Sequence, residues 1–296
     1  MSVLSVLKFI ASHPLNQGRK MDAFVRLARW QLGSRLVSGS VVYEWLGGAR
    51  FIVRAGETGL TGNIYSGLQE FTDMAFLLHV LRSGDLFVDV GANVGSYTLL
   101  ACASVGANGL CVEPIPSTYA RLVDNIRLNH LELAVTCLNI GVGSKAGVVR
   151  FSSGMDVGNR ALVTGESRAD VVEVQIETLD VLLKGKVPTL IKIDVEGYET
   201  AVLDGADETL RNQSLKAVIV EVNGSGAKFG FDESRIFEKM SDNGFCAYSY
   251  RPWDRDLVPR DAAAADSDNV IFVRNIPDVK ARLRSAPTFM INGRSL

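Results

Sequence analysis

The chain has 296 residues, 47% of them hydrophobic and 22% charged, with a net charge of −2. This is the composition of a globular protein with room for one large domain with additions, or two small ones. It gives no electrostatic case for nucleic acid. Four cysteines (Cys102, Cys111, Cys137 and Cys246) lie singly in apolar runs without a Cys-x-x-Cys pair. They read as buried small hydrophobes in a reducing, cytoplasmic setting rather than as zinc ligands.

In chain order, residues 1–11 are apolar apart from Lys8. The stretch is too short to span a bilayer, and the features of a secretory signal are weak. It reads as a short amphipathic helix, which leaves weak peripheral membrane contact open. Residues up to about 37 read as helical, with Phe24, Leu27, Ala28, Gln31 and Leu32 on one face. Residues 41–43 and 51–53, separated by Gly47 and Gly48, read as a β-hairpin. A helix over residues 71–81 follows.

From Gly84 onward apolar strands alternate with amphipathic helices. Strands are expected at residues 86–90, 110–113, 135–140, 190–194 and 217–222. The helix after the second carries Tyr119, Leu122, Val123 and Ile126 at helical spacing. Residues 245–250 and 270–273 read as late strands without an intervening helix, hence antiparallel. This pattern predicts an α/β fold with a doubly wound, mostly parallel sheet covered on both faces. Residues 148–151 and 171–176 interrupt the rhythm as a hairpin. Its polar connection over 152–170 reads either as a loop that closes over a substrate or as a plain surface excursion. The expected organisation is a helical and hairpin cap over 1–70, a main domain over 71–276 and a tail over 277–296.

The most informative run is Val88-Asp89-Val90-Gly91-Ala92-Asn93-Val94-Gly95-Ser96, set between a strand and a helix. A strand, a glycine turn and a helix make a nucleotide-sized pocket at the end of a sheet. The dinucleotide pattern Gly-x-Gly-x-x-Gly is missing, and Asn93 stands at its second glycine. Asp89 at the mouth is poorly suited to a pyrophosphate. It suits a sulfonium or ammonium ligand such as S-adenosylmethionine. Gly91 and Gly95 are read as leaving room for the ligand. Glu113 ends the next strand, 24 residues on, where an acid accepts ribose hydroxyls or simply starts a helix.

A second cluster, Lys192-Ile193-Asp194-Val195-Glu196-Gly197-Tyr198-Glu199, sits at the exit of the fourth strand. Asp194 and Glu196 are candidates for base, hydrogen-bond acceptor or metal ligand, while Glu199 fits a helix first turn. No metal is assigned. Glu221 and Asn223 leave the adjacent strand, and neighbouring acids raise one another's pKa. Trp253, in the loop over 251–268, either stacks on a sugar or is a surface residue.

At these residues the chain resembles the FkbM-type family of S-adenosylmethionine-dependent methyltransferases. The carrying segments are residues 84–95, Val112-Glu113-Pro114, and residues 190–206; the last is the family's most specific stretch. The resemblance covers about residues 70–225. It implies the class I methyltransferase fold with a seven-stranded sheet and O-methylation of a sugar, glycan or polyketide-type hydroxyl. By position, Asp89, Gly91, Asn93 and Gly95 would hold the methionine part, Glu113 the ribose, and Asn139 and Ile140 would border adenine. Asp194 or Glu196 would be the base, with Glu221 next. The stretch over 158–162 matches the family only loosely and carries no role. Alternatives are an amine or carboxylate acceptor, or a cofactor-binding partner module without catalysis. The partner class is a small-molecule or glycan acceptor, with self-association left open.

Overall fold

Two helices, α1 (Val3–Ser12) and α2 (Lys20–Leu36), begin the chain in the computed structural model. It describes residues 3–37, 39–57, 60–152, 160–162, 170–260 and 268–296. Ala23, Trp30 and Ser34 mark the buried face of α2, whereas Ala28 and Leu32 point outward. The face expected from periodicity is therefore divided. Apolar residues lie on more than one side of this helix, so the spacing alone does not select the inward side. The strands β1 (Ser40–Glu44) and β2 (Arg50–Arg54) pair as the expected hairpin. The helices α3 (Thr61–Ser66) and α4 (Phe71–Val80) complete the N-terminal part.

The alternation then begins with β3 (Leu86–Val90) and α5 (Ser96–Leu99), which runs on as a π-helical stretch, Leu100–Val105. Next come β4 (Asn108–Val112), α6 (Pro116–Leu128) and β5 (Val135–Leu138). A side sheet of β6 (Gly141–Val142), β7 (Gly147–Ser152) and β8 (Val171–Glu177) interrupts it, with β7 and β8 antiparallel as expected. Then follow α7 (Leu179–Leu183), β9 (Leu190–Ile193), α8 (Glu199–Asp204), α9 (Asp207–Arg211) and β10 (Ala217–Glu221). The chain ends with α10 (Ser234–Asp242), β11 (Cys246–Arg251), β12 (Asp256–Pro259), β13 (Asn269–Val273), α11 (Ile276–Arg284), β14 (Met290–Ile291) and β15 (Arg294–Ser295).

The large sheet has the order β12-β11-β13-β10-β9-β3-β4-β5. Its five strands from β10 to β5 are parallel, and β13, β11 and β12 join antiparallel. This is the expected doubly wound α/β sheet with eight strands instead of seven. The extra strand, β12, comes from the segment read as a polar loop and pairs only along the outer edge. A one-sided edge strand needs no continuous apolar run to announce it.

Side chains alternate between the two sheet faces. Val88, Val90, Ile191, Ile193, Val218 and Val220 pack against α7, α8, α9 and α10. Phe87, Cys111, Leu190, Ile219 and Ile271 face a core shared with α4, α5, α11 and the N-terminal helices and hairpin. By the same parity Asp89, Lys192, Asp194 and Glu221 belong to this second face. Residues 277–296, set apart as a tail, are folded: Val279, Leu283, Ile291 and Leu296 are buried. Cys246 is exposed, unlike the buried Cys102 and Cys111, because it sits on an edge-region strand.

The hairpin is held by two asparagines four residues apart, Asn125 on α6 and Asn129 at its C-terminal cap. Asn125 Oδ1 accepts from Ile52 N at 2.8 Å, and Asn125 Nδ2 donates to Val94 O at 2.8 Å. Asn129 Oδ1 accepts from Arg50 N at 2.8 Å. Side chains thus supply the hydrogen bonds that a further strand would give to the edge of β2. Asn125 is 1% exposed, so no water replaces its partners. Asn125→Ala is expected to lower stability by roughly 2–4 kcal/mol, because it leaves a buried N–H and C=O unpaired. Urea unfolding at constant slope reads this loss directly.

Candidate functional site

Strand order reverses between β3, whose partners are β4 and β9, and the carboxyl ends of these strands open into a cleft of about 290 Å³. Register places Asp89 beside Lys192. Six carboxyl groups line the cleft, those of Glu70, Asp89, Glu113, Asp194, Glu196 and Glu221, with Lys192 as the one lysine among the lining residues.

The glycine turn is held by backbone constraint. Gly91 has φ +81°, and a Cβ there would lie 1.8 Å from the Asp194 carbonyl oxygen. The bareness at this position is demanded by the β3–β9 approach, before any ligand is considered. Gly95, φ +95°, would strike Leu122, and it does not line the cleft. Gly91 itself lines the cleft, whereas Gly95 stands back from it. Asn93 has φ +50°, a region asparagine tolerates, and its Oδ1 accepts from Val94 N at 2.7 Å.

Glu113 fastens the turn. Its Oε2 accepts from Asn93 N and its Oε1 from Ile115 N, each at 3.0 Å. Burial raises its pKa to about 7, opposed by these two hydrogen bonds. Asp89 accepts from Thr98 Oγ1 at 2.7 Å, and burial raises it to about 6. Ile140 lines the cleft. Asn139 does not; its amide bridges Glu113 O at 2.8 Å and Pro114 O at 3.1 Å, holding the strand exit.

The second cluster turns as it leaves β9. Glu196 and Gly197 both have positive φ, +55° and +104°. The turn breaks the strand alternation between Asp194 and Glu196. Glu199 starts α8 and folds back, its Oε1 accepting from Val195 N at 3.0 Å and Gly197 N at 3.1 Å. It is buried and belongs to the loop's support. Burial raises its pKa to about 7. Asp194 Oδ2 is 2.6 Å from Lys192 Nζ, which also lies 4.6 Å from the Tyr97 ring centroid. Burial alone would lower the Lys192 pKa, but Asp194, Glu70 and Asp89 more than reverse this.

Glu221 is driven furthest, up to about 9, by burial and then by the charges of Asp194, Glu196 and Glu199. Its Oε2 is buried and has no hydrogen-bond partner among the described residues. Glu196 is raised by burial and Asp194, against Lys228, Lys192 and Arg160. No protein hydrogen bond to its carboxylate occurs among the described residues.

Sequence reasoning overlooked Lys192, Glu70 and Tyr97. A lysine inside the four-residue apolar strand Leu190–Ile193 was a readable signal, because a buried ammonium requires carboxylate partners. Glu70 precedes α4 and carried no such signal; it accepts a hydrogen bond from the Tyr97 hydroxyl. Trp253 packs on Phe71, ring centroids 5.3 Å apart, and is not a wall of the cleft. Among the described residues, no three His, Cys, Asp or Glu side chains are grouped to hold a metal ion. The loop read as a substrate closure lies largely outside the described residues, as do Gly158 and Asn159. Ala161 bridges to Phe151, which does line the cleft.

The sequence profile of the methyltransferase FkbM domain matches residues 89–247, just over half of the chain. The chain belongs to this family. Its cofactor is S-adenosylmethionine. The hexuronic acid methyltransferase AglP of Haloferax volcanii is 30% identical over 169 residues, 56% of this chain. That match spans 65% of AglP, just under two thirds of its length. The methyltransferase sdnD of Sordaria araneosa is 30% identical over 185 residues, covering 51% of this chain and 71% of sdnD. Among solved structures, a precorrin-6y C5,15-methyltransferase from Geobacter metallireducens aligns at a TM-score of 0.41 and 12% identity, over 75% of this chain and 92% of that one.

The residues fit the cofactor. A carboxyl-rich wall complements a ligand with a sulfonium and an ammonium group, and the unpartnered Glu221 oxygen awaits a donor or a positive charge. Asp89, Asp194, Glu221 and the turn at Gly91 and Asn93 would border the methionine end, and Glu113 the ribose.

A carboxylate that accepts ribose hydroxyls must be ionised, and Glu113 titrates near 7. Affinity for S-adenosylhomocysteine is therefore expected to rise with pH from about 6 to about 8. Glu113→Ala should weaken binding by roughly 2–4 kcal/mol and flatten this dependence. Calorimetric titration across the range checks both; a flat wild-type profile with unchanged affinity in the variant would assign Glu113 to the turn alone.

Proposed function

We propose that this methyltransferase transfers the methyl group to a hydroxyl oxygen of a sugar, glycan or related natural product. The carrying observation is Glu196, a raised-pKa carboxylate on the cleft wall with no protein hydrogen bond among the described residues, held on a strained turn at the strand exit. One relative at 30% identity, named for hexuronic acid, supports the substrate class; the other is named only as a methyltransferase.

When bound, S-adenosylmethionine supplies an electrophilic methyl group. An aliphatic hydroxyl is a weak nucleophile, so its proton must go to a base as the oxygen bonds to carbon. Glu196 takes that proton. Asp194 is the less available base because its charge is engaged by Lys192 at 2.6 Å; it holds the lysine and the shape of the strand end. Glu221, up to about 9, is protonated at neutral pH in the free protein and becomes an acceptor once positive charge lies beside it. Phe151 and Tyr198 form apolar wall, and Tyr198 is braced edge-on by Phe229 at 5.5 Å. Lys228 and Arg160 place positive charge near Glu196, where an acceptor bearing a carboxylate would find it.

The test uses methyl-labelled S-adenosylmethionine with a pool of uronic acid glycosides and hydroxylated natural products. The expected product is an alkali-stable methyl ether. Glu196→Gln should lower kcat by roughly 10²–10⁴ while cofactor affinity stays within a few-fold. Because the base must be ionised, activity should fall on the acid side, at a pH above the ordinary glutamate value of 4.5. An alkali-labile ester indifferent to Glu196→Gln would identify a carboxylate acceptor, which has no proton to lose. A labelled amine would also overturn the proposal.

A further inference from the structure

The N-terminal helices carry a surface that the methyl-transfer site does not use. On α2, Met21, Val25, Ala28, Leu32 and Leu36 recur at spacings of four, three, four and four, which is one continuous helical stripe. They are exposed, Met21 at 75%, Leu32 at 67% and Leu36 at 86%. The buried residues Ala23, Trp30 and Ser34 lie on the opposite side of the same helix. The stripe is therefore an outward face of a helix already anchored by its other face. Arg29 and Arg35 lie on either side of it by helical angle, and neither has a carboxylate partner among the described residues. Neighbouring α1 also exposes Leu4 and Leu7, with Lys8 beside them.

Charge selects the occupant. Residues 1–57 hold eight basic and three acidic side chains, a net of +5 in a chain whose total is −2. Stacking two copies of the stripe would bring Arg29 and Arg35 against their counterparts, with only Asp22 on the helix to offset them. An anionic lipid surface satisfies both parts of the pattern: apolar side chains enter the acyl boundary while arginines meet headgroup phosphates. Among the described residues no helix is long and apolar enough to cross a membrane, so the contact is peripheral.

We infer that α2, supported by α1, docks this protein on anionic bilayers. The test is co-sedimentation of the full chain with vesicles of phosphatidylcholine, or of phosphatidylcholine mixed with phosphatidylglycerol. The wild type should pellet with the anionic vesicles, less so as salt rises, and hardly with the zwitterionic ones. Arg29→Gln with Arg35→Gln should reduce binding by roughly ten- to thirtyfold. Leu32→Gln with Leu36→Gln should reduce it by at least about tenfold. All four sites are exposed, so unchanged melting temperature and S-adenosylhomocysteine binding verify that the variants are folded. No sedimentation of folded wild type, or equal sedimentation of the variants, overturns the inference. So does a dimer in light scattering that the leucine substitutions dissolve, which would make a second copy the occupant.

Discussion

Mutual repulsion among carboxylates is the constraint around which this molecule is arranged. Six acids face one cleft, and the strand ends offer Lys192 as the balancing ammonium. At close range in a partly dry site such charges cannot all persist unpaired. The structure meets this in three ways. Glu113 is tied to backbone N–H groups, Asp194 and Lys192 form an ion pair, and Glu221 is pushed towards its neutral form. What remains is an acidic cavity that a cationic ligand would complement.

The sheet supplies this site through parity. A charged residue at Asp89, Lys192, Asp194 or Glu221 points to the face covered by the N-terminal elements, while the intervening valines and isoleucines pack on α7–α10. The cap is thus part of the site. It brings Glu70 to the cleft wall, and α4 sets Asp73 just behind, where burial raises Asp73 to about 7 and Asn269 Nδ2 donates to it at 3.0 Å. Asn125 and Asn129 lock the hairpin of that cap to α6, and through Val94 to the glycine turn itself.

The alternation of apolar strands and amphipathic helices made the central sheet legible, since each inner strand is buried on both faces. The edge strand β12 was not, because it pairs along one side in a polar stretch. The direction of α2 was also hidden: it presents apolar residues both inward and outward. At the site, Asp89, Gly91, Glu113, Asp194, Glu196 and Glu221 were readable as polar residues or glycine at strand exits, and all line one cleft. Gly95 and Asn139 shape the loops without reaching it. Their roles depend on contacts with Leu122, Glu113 and Pro114 that spacing does not encode. Glu70 caps α4 and stands at no strand exit, so only the folded chain reveals it.

The claim that an acidic, partly protonated cleft receives a cationic ligand is measured most directly by proton linkage. Binding of S-adenosylmethionine is followed by calorimetry near pH 7.5 in buffers of different ionisation enthalpy. Glu221, about 9 in the free protein, is protonated there, and a nearby positive charge lowers its pKa. The account predicts net proton release on binding, diminished in Glu221→Gln. Proton uptake, or no exchange in a chain that binds the ligand normally, would contradict it.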